Sequence, residues 1–212
     1  AGNGVIDMET LAVTGAVNLA TNGSGDATLV NATALKFEGS TIGGELTATA
    51  TSGDITQSGP LDINGTGTTT ITASASGADI TLFNAANDFE GAVSTTGDDV
   101  NLWAADTMDL GAATVAGDYT VFAGTSINDC AEAAPACAQI ITGDAAFKTH
   151  DDSSQITLDH PSNSFGGSFN TVGGIGYLVY DTSLDGIVLI GRTVVGNVIV
   201  TAAGPVTQSG AL

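Results

Sequence analysis

Basic residues are almost absent from this sequence. Lysine and arginine together number 3 among 212 residues, whereas aspartate and glutamate number 23, which gives a formal net charge of −20. Binding to phosphate backbones and to anionic lipid surfaces depends on clustered lysine and arginine. We therefore expect neither nucleic acid nor an anionic membrane as a partner, and no membrane insertion. The acidic balance favours solubility and permits weak binding of Ca²⁺.

Strong helix formers and long apolar runs are also scarce. No stretch approaches the ~20 apolar residues that a transmembrane helix needs. Glycine numbers 29, and valine, isoleucine, leucine and threonine recur at short spacing. Because the mean hydropathy is positive, the chain has enough apolar surface to fold. The mixture predicts short β-strands joined by tight turns.

The sequence repeats itself at two scales. Residues 80–91 align without gaps with residues 156–167, 76 positions later, and residues 29–46 align with residues 102–119, 73 positions later. Within these long repeats, short phrases such as Leu46-Thr-Ala-Thr-Ala50 alternate larger apolar and polar or small residues. This period of two is typical of strands with one buried face.

Alternating strands, tight turns and long-range self-similarity predict an all-β, right-handed parallel β-helix, or β-solenoid. We interpret residues 1–212 as a single solenoid segment of a longer protein, with long repeats of about 73–79 residues. The matched Phe89 and Phe165 should then lie inside on one wall, and so should Leu82 and Leu158. A tandem β-sandwich is the alternative, but no linker between two sandwich domains is visible.

The two cysteines lie in a short insertion at residues 130–137. A disulfide between Cys130 and Cys137 is the expected state in a secreted protein, and two free thiols are the alternative. The spacing does not indicate a zinc site. Because the strand pattern resumes at Ile140 and Ile141, we expect the loop to project from the core, and loss of the bond to cost little stability.

The sequence contains none of the characteristic motifs of serine hydrolases (GxSxG), zinc proteases (HExxH) or P-loop nucleotide-binding proteins. The candidate metal ligands are His150, His160, the neighbouring Asp151-Asp152 and Asp159, and the pair Asp98-Asp99. Turn capping and solvation are the favoured interpretation of all of them. We therefore predict no metal site, no cofactor beyond weakly bound Ca²⁺, and no enzymatic activity. A polysaccharide-acting β-helix enzyme is the alternative, although its paired acids would have to share one groove and the aspartates here are scattered through turns.

The phrases at residues 53–61, 79–93 and 110–117 resemble the repeats of filamentous-haemagglutinin-like exoproteins. The resemblance covers nearly the whole chain, and only the cysteine insertion departs from it. It implies a long β-helix exported by two-partner secretion, through an outer-membrane pore that engages a region outside this segment. The implied function is a structural or adhesive segment of a large secreted bacterial surface adhesin. The implied partner is a glycan or protein on a host cell or neighbouring cell.

Trp103 and Phe122 are the candidate ligand-binding residues. The phrases at residues 100–103 and 119–122 align position for position, and strand alternation places both rings outside when Leu102 points inward. On successive coils the two rings would stack on the outer wall, where they suit carbohydrate stacking or a protein contact. The competing interpretation is that the strand bends after Leu102 and turns both rings into a corner of the core. The apolar repeat counterparts Val30 and Val179 favour this second interpretation.

An ice-binding solenoid is a further alternative, suggested by the threonine-rich residues 47–51 and 68–72. An ice-binding face needs threonine in register on every coil. Position 72 corresponds to Lys148 in the next long repeat, which would break the row. We therefore interpret the threonine rows as strand formers that face solvent.

Overall fold

The computed structural model describes residues 4–65, 67–130, 137–150, 154–172, 176–181, 186–190 and 197–210. Their regular structure consists of β-strands stacked in parallel into a β-solenoid, which confirms the predicted fold class. No part of these ranges forms a helix that is long and apolar enough to cross a membrane.

The strands follow one another closely along the chain. In order they are β1 (Ile6–Leu11), β2 (Ala16–Val17), β3 (Ala27–Asn31), β4 (Leu35–Phe37), β5 (Ser40–Ile42), β6 (Leu46–Ala50), β7 (Ile55–Gln57), β8 (Leu61–Ile63), β9 (Thr69–Ala73), β10 (Ile80–Leu82), β11 (Asp88–Phe89), β12 (Val93–Gly97), β13 (Val100–Ala104), β14 (Met108–Val115), β15 (Tyr119–Ala123), β16 (Ile127–Asp129), β17 (Gln139–Ile141), β18 (Ala145–Thr149), β19 (Gln155–Leu158), β20 (Ser164–Phe165), β21 (Ser168–Val172), β22 (Gly176–Asp181), β23 (Ile187–Ile190), β24 (Val198–Ala202) and β25 (Val206–Ser209).

Successive strands lie on three walls, which we call A, B and C. Wall A contains β1, β3, β6, β9, β12, the second half of β14, β17 and β20. Wall B is the sheet β2-β4-β7-β10-β13-β15-β18-β21-β23-β25. Wall C contains β5, β8, β11, the first half of β14, β16, β19, β22 and β24. Strand β14 turns the corner between walls, because Met108–Leu110 pair with β16 and Ala113–Val115 pair with β17.

Strand alternation places every second side chain of each wall inside the solenoid. In β15, Tyr119, Val121 and Ala123 are buried, while Thr120 and Phe122 face outward. The same buried–intermediate alternation recurs in β3, β6, β9, β13 and β18. Each fully buried large side chain contributes about 1.5–3 kcal/mol relative to leaving it exposed. A single coil cannot complete this core, so stability comes from stacking.

Buried asparagines tie the turns of neighbouring coils together. The Asn87 side chain is fully buried. Its Oδ1 accepts from the backbone N–H of Leu61 at 2.9 Å, and its Nδ2 donates to the carbonyl oxygens of Leu82 and Trp103, each at 3.1 Å. One side chain therefore satisfies backbone groups that the turn leaves outside the strand ladder.

The long repeat does not contain a whole number of coils. The strands from β3 to β12 form ten segments, and those from β13 to β21 also form ten when β14 is counted on both of its walls. Since each full coil uses three walls, one repeat is three and one-third coils long. Every element of the second repeat therefore lies one wall further round than its match. Leu46 on wall A, for example, matches Tyr119 on wall B.

This rotation corrects one sequence prediction. Phe89 and Phe165 are both buried, as are Leu82 and Leu158. The prediction that each pair shares a wall is wrong, because Phe89 lies on wall C and Phe165 on wall A, while Leu82 lies on wall B and Leu158 on wall C. Residues matched by the repeat are therefore buried to the same degree, but the extra third of a coil places them on different walls.

Candidate functional site

The outer face of wall B carries an aromatic group. Trp103 pairs with Phe122 across β13 and β15, and Phe122 pairs with Lys148 on β18. Phe83 follows directly after β10, one coil before Trp103, and is 37% exposed. We call Phe83, Trp103 and Phe122 the aromatic cluster.

The three rings contact one another. The Trp103 and Phe122 centroids are 5.2 Å apart with their planes inclined by 38°. Phe83 meets both rings edge-on, at 4.9 Å from Trp103 and 5.2 Å from Phe122. Edge-to-face pairs of this kind contribute about 0.5–1.5 kcal/mol beyond their buried area, so the cluster holds its own side chains in place.

The cluster lies outside the core. The residues on either side of Trp103 in β13, Leu102 and Ala104, are both fully buried. The alternation therefore continues through Trp103 without the bend that would turn the ring inward. Trp103 and Phe122 are consequently half-buried on the wall, supported by each other and by Phe83. The inward bend favoured by the apolar counterparts Val30 and Val179 is therefore wrong. The phrases that carry the two rings lie on successive coils, and the structure pairs the rings there.

Two members of the site are not evident from the repeat phrases. Phe83 joins the cluster because β10 pairs with β13 in a register that sets Leu82 beside Leu102. The Lys148 ammonium lies 4.8 Å from the centroid of the Phe122 ring, which is a cation–π contact. Residues about one coil apart, roughly 20–25 positions, meet on the outer face. This spacing, and not the long repeat, is the sequence signal that could have identified Phe83 and Lys148.

A polar column runs beside the aromatic cluster. Thr81 pairs with Asn101, and Asn101 pairs with Thr120. Among the described residues, the side chains of Asn101 and Thr120 have no hydrogen-bond partner within the chain. Wall B therefore presents aromatic carbon next to hydroxyl and amide groups that are available to a ligand.

Wall A carries a second regular surface, made of threonines. Its outer face has two columns that run in register across consecutive strands: Thr28, Thr47, Thr70 and Ser94 in one, and Val30, Thr49, Thr72 and Thr96 in the other. Thr114 on β14 continues the second column beyond Thr96.

Lys148 does not interrupt these threonine columns, contrary to the sequence prediction. Lys148 is the repeat counterpart of Thr72, but it lies on β18 of wall B, whereas Thr72 lies on β9 of wall A. Each long repeat ends one-third of a coil out of phase, so the two positions face different directions. The neighbours of Thr72 in its own column are Thr49 and Thr96.

The cysteine pair lies at the edge of the β16–β17 connection. Cys130 and Cys137 are joined by a disulfide, with Cα atoms 5.8 Å apart. Cys137 is buried, with 5% of its surface exposed. The loop between the cysteines, residues 131–136, lies outside the described residues, so its predicted projection stays a prediction.

The candidate metal ligands are separated from one another. His160 is buried and its Nδ1 accepts the backbone N–H of Ser162 at 3.2 Å, whereas His150 is exposed. Residues 151–152 lie outside the described ranges. Within those ranges no three histidine, cysteine or acidic side chains form a group suited to a metal ion.

Aspartates form a ladder at the turns that precede wall B. The backbone N–H of Asp79 donates to Asp54 Oδ1 at 3.0 Å, and Asp99 donates in the same way to Asp79 at 3.0 Å. Asp118 and Asp144 extend the series, each donating to the preceding carboxylate at 2.8 Å. This capping accounts for Asp99 of the pair at 98–99, since its carboxylate binds the next turn.

A different group of acids is concentrated on wall C. Asp88, Glu90, Asp106 and Asp109 line one shallow groove. Burial raises the pKa of Asp88, and the neighbouring carboxylates, Asp106 first, raise it further. These four acids are therefore gathered by the fold and not scattered, which the sequence did not reveal because they belong to two successive coils.

Asp129 is a buried acid that the sequence did not single out. It is 7% exposed, and its carboxylate accepts the backbone N–H groups of Asp159 and His160 at 3.0 Å each and the side chain of Asn163 at 2.7 Å. Burial raises the pKa of Asp129, and these hydrogen bonds partly oppose the rise. In the first repeat, Gln57 makes the equivalent contact with Asn87. The cysteine insertion obscures this match in the sequence.

The chain belongs to the DUF5649 family, described as repeats of unknown function. The family profile matches residues 24–96 and, directly after them, residues 97–172. These matches confirm the internal repeat, and their limits coincide with the two sets of ten strand segments described above. No curated protein and no solved structure matches the chain.

Proposed function

We propose that this chain is an adhesive segment of a large secreted bacterial surface protein, exported by two-partner secretion. In this proposal the solenoid is a rigid support that holds a contact surface away from the cell. The partner is a glycan or protein on a host cell or neighbouring cell, and the segment performs no catalysis.

The aromatic cluster is the observation that carries this proposal. Phe83, Trp103 and Phe122 account for three of the 11 aromatic side chains in the chain, and Trp103 is its single tryptophan. The side chains of this cluster point outward and do not contribute to the apolar core of the solenoid. Exposed aromatic groups on soluble proteins commonly mark contact surfaces, so the cluster supports adhesion over a purely spacing role.

Cell attachment tests the proposal. Beads coated with the chain are mixed with bacterial and epithelial cells, and the retained cells are counted. We expect retention by the unmodified chain and by Ile140→Ala, which removes an exposed apolar side chain from wall A. We expect loss of retention with Trp103→Ala. Equal retention by Trp103→Ala, or no retention by the unmodified chain, would contradict an adhesive role for this cluster.

Ice binding is a second candidate, favoured by the threonine columns of wall A. Within a strand, alternate residues lie about 6.6–6.8 Å apart, and neighbouring strands are about 4.8 Å apart, so the hydroxyls form a two-dimensional grid. Thr47, Thr49, Thr70 and Thr72 occupy two consecutive strands in strict register. In the described part of the chain none of these four hydroxyls bonds to another protein group.

Ice recrystallisation assays distinguish this candidate. Thr72→Tyr places a bulky ring in the middle of the grid, whereas Thr157→Tyr places the same ring on wall C. Ice binding predicts that the unmodified chain and Thr157→Tyr slow recrystallisation and that Thr72→Tyr does not. Identical behaviour of the two variants would eliminate the threonine columns as an ice-binding face.

A further inference from the structure

The aromatic cluster and the polar column beside it together have the chemistry of a carbohydrate site. Sugar rings expose C–H faces that pack on aromatic side chains, and hydroxyls that need hydrogen-bonding partners. Trp103 and Phe122 offer the aromatic faces, while Asn101 and Thr120 on the same two strands offer an amide and a hydroxyl. Asn101 lies two positions before Trp103, and Thr120 two positions before Phe122, so each strand supplies one residue of each kind.

The site is organised before any ligand arrives. Phe83 packs edge-on against both Trp103 and Phe122, and Lys148 lies over the Phe122 ring. These contacts fix the rotamers of the two aromatic side chains, which lowers the entropy cost of binding. Phe83 and Lys148 are therefore positioning residues, whereas Trp103 and Phe122 contact the sugar.

The charge of the chain selects among possible glycans. The net charge of −20 repels polyanions over long range. Lys148 is the cation beside the aromatic cluster, and its ammonium is engaged with the Phe122 ring. Lys36 also faces outward on wall B, but it lies two coils before Thr81 in the polar column. The two free polar side chains, an amide and a hydroxyl, are uncharged. Each of these features favours an uncharged ligand.

We propose that the outer face of wall B binds a neutral polysaccharide, through stacking on Trp103 and Phe122 and hydrogen bonds from Asn101 and Thr120. This inference rests on the proposed adhesive function and specifies its ligand. Residues of the site span the coils from β10 to β18, which is three intercoil steps and roughly 14 Å along the axis. That length accommodates a short oligosaccharide segment of a longer chain.

Retardation in native gels provides the test. The unmodified chain is run through gels that contain dextran, hydroxyethylcellulose or xylan as neutral polymers, and alginate as an anionic one. We expect retardation by at least one neutral polymer and none by alginate. Retardation by alginate alone, or by no neutral polymer, would overturn the proposal.

Variants locate the binding in the cluster. Trp103→Ala and Phe122→Ala should each abolish the retardation, and Trp103→Phe should retain part of it. Ile140→Ala, on wall A, should match the unmodified chain. Because Trp103 is the only tryptophan, its fluorescence should also shift when the polymer is added. Retardation that survives Trp103→Ala, or binding without a change in fluorescence, would place the ligand elsewhere.

The two proposals can fail separately. A chain that binds a neutral polymer through Trp103 but retains no cells on beads supports the glycan site and contradicts adhesion. A chain that retains cells through Trp103 without binding any neutral polymer supports adhesion and contradicts the glycan site. In the second outcome the contact is with a protein or a charged glycan.

Discussion

Replacement of Asn87 with alanine tests how the coils are joined. Asn87 Oδ1 accepts hydrogen bonds from the Leu61 backbone at 2.9 Å and from Gln57 Nε2 at 2.8 Å, and its Nδ2 donates to the backbone carbonyls of Leu82 and Trp103. The substitution leaves the buried Leu61 N–H without its acceptor. An orphaned buried group costs about 1–3 kcal/mol, and each further hydrogen bond that is lost costs about 1 kcal/mol.

One orphaned group and three further lost hydrogen bonds together predict a loss of about 4–6 kcal/mol in the free energy of unfolding. Urea denaturation followed by circular dichroism measures it, provided that the m-value stays unchanged. Asn84→Ala is the matched control, because Asn84 Oδ1 caps the N–H of Ala86 in an exposed turn, and its loss should cost no more than about 1 kcal/mol. Equal costs for the two variants would refute the argument that Asn87 joins neighbouring coils.

Three further predictions concern buried or cross-linked side chains. The buried Tyr119 hydroxyl makes no hydrogen bond of good geometry among the described residues, and the neighbouring Thr95 hydroxyl offers it only a weak contact, so Tyr119→Phe should leave the melting temperature nearly unchanged or raise it, and a clear fall would contradict this. Burial raises the pKa of Asp129 above its ordinary 3.8, so the folded chain binds this proton more tightly than the unfolded chain does. Protonation therefore adds to the free energy of unfolding fully below pH 3.8, and this contribution is lost as the pH rises through the raised pKa. On acidification, the free energy of unfolding of the unmodified chain should therefore rise relative to that of Asp129→Asn. A difference between the two chains that does not change with pH would show that the pKa of Asp129 is ordinary. Joint replacement of Cys130 and Cys137 by serine should lower the melting temperature only slightly, because the loop is short, whereas a large fall would show that the disulfide supports the core.

Local rules were sufficient to predict much of the fold. Period-two alternation alone places Leu102 inside and Trp103 and Phe122 outside, as the structure does, because a strand in a stacked wall has only two faces. The apolar counterparts Val30 and Val179 wrongly favoured the core for both rings. The repeat also correctly identified buried partners such as Phe89 and Phe165. Both predictions succeed because they need only local information. Alternation is a property of a single strand, and residues with matching sequence surroundings are buried to the same degree.

The neighbours of a residue on the outer surface could not be predicted in the same way. They are set by the length of each individual coil, which varies: Ile55 pairs with Ile80, 25 positions on, whereas Ile80 pairs with Val100, 20 positions on. Small differences in turn length therefore decide which residues share a column. For this reason the sequence missed Phe83 in the cluster. Lys148 was assigned to the wrong column because each long repeat ends one-third of a coil out of phase.

On the outer face, residues one coil apart are neighbours, whereas residues one long repeat apart are not. Disulfide cross-linking measures this directly, in a background that lacks the native cysteines. Asn101→Cys with Thr120→Cys pairs two outward positions on adjacent strands, and oxidation should join them, as mass spectrometry would detect. Thr28→Cys with Asn101→Cys pairs repeat counterparts that lie on walls A and B, and they should stay reduced. Cross-linking of the repeat counterparts, with the adjacent-coil pair left reduced, would contradict the three-walled arrangement that builds the aromatic cluster.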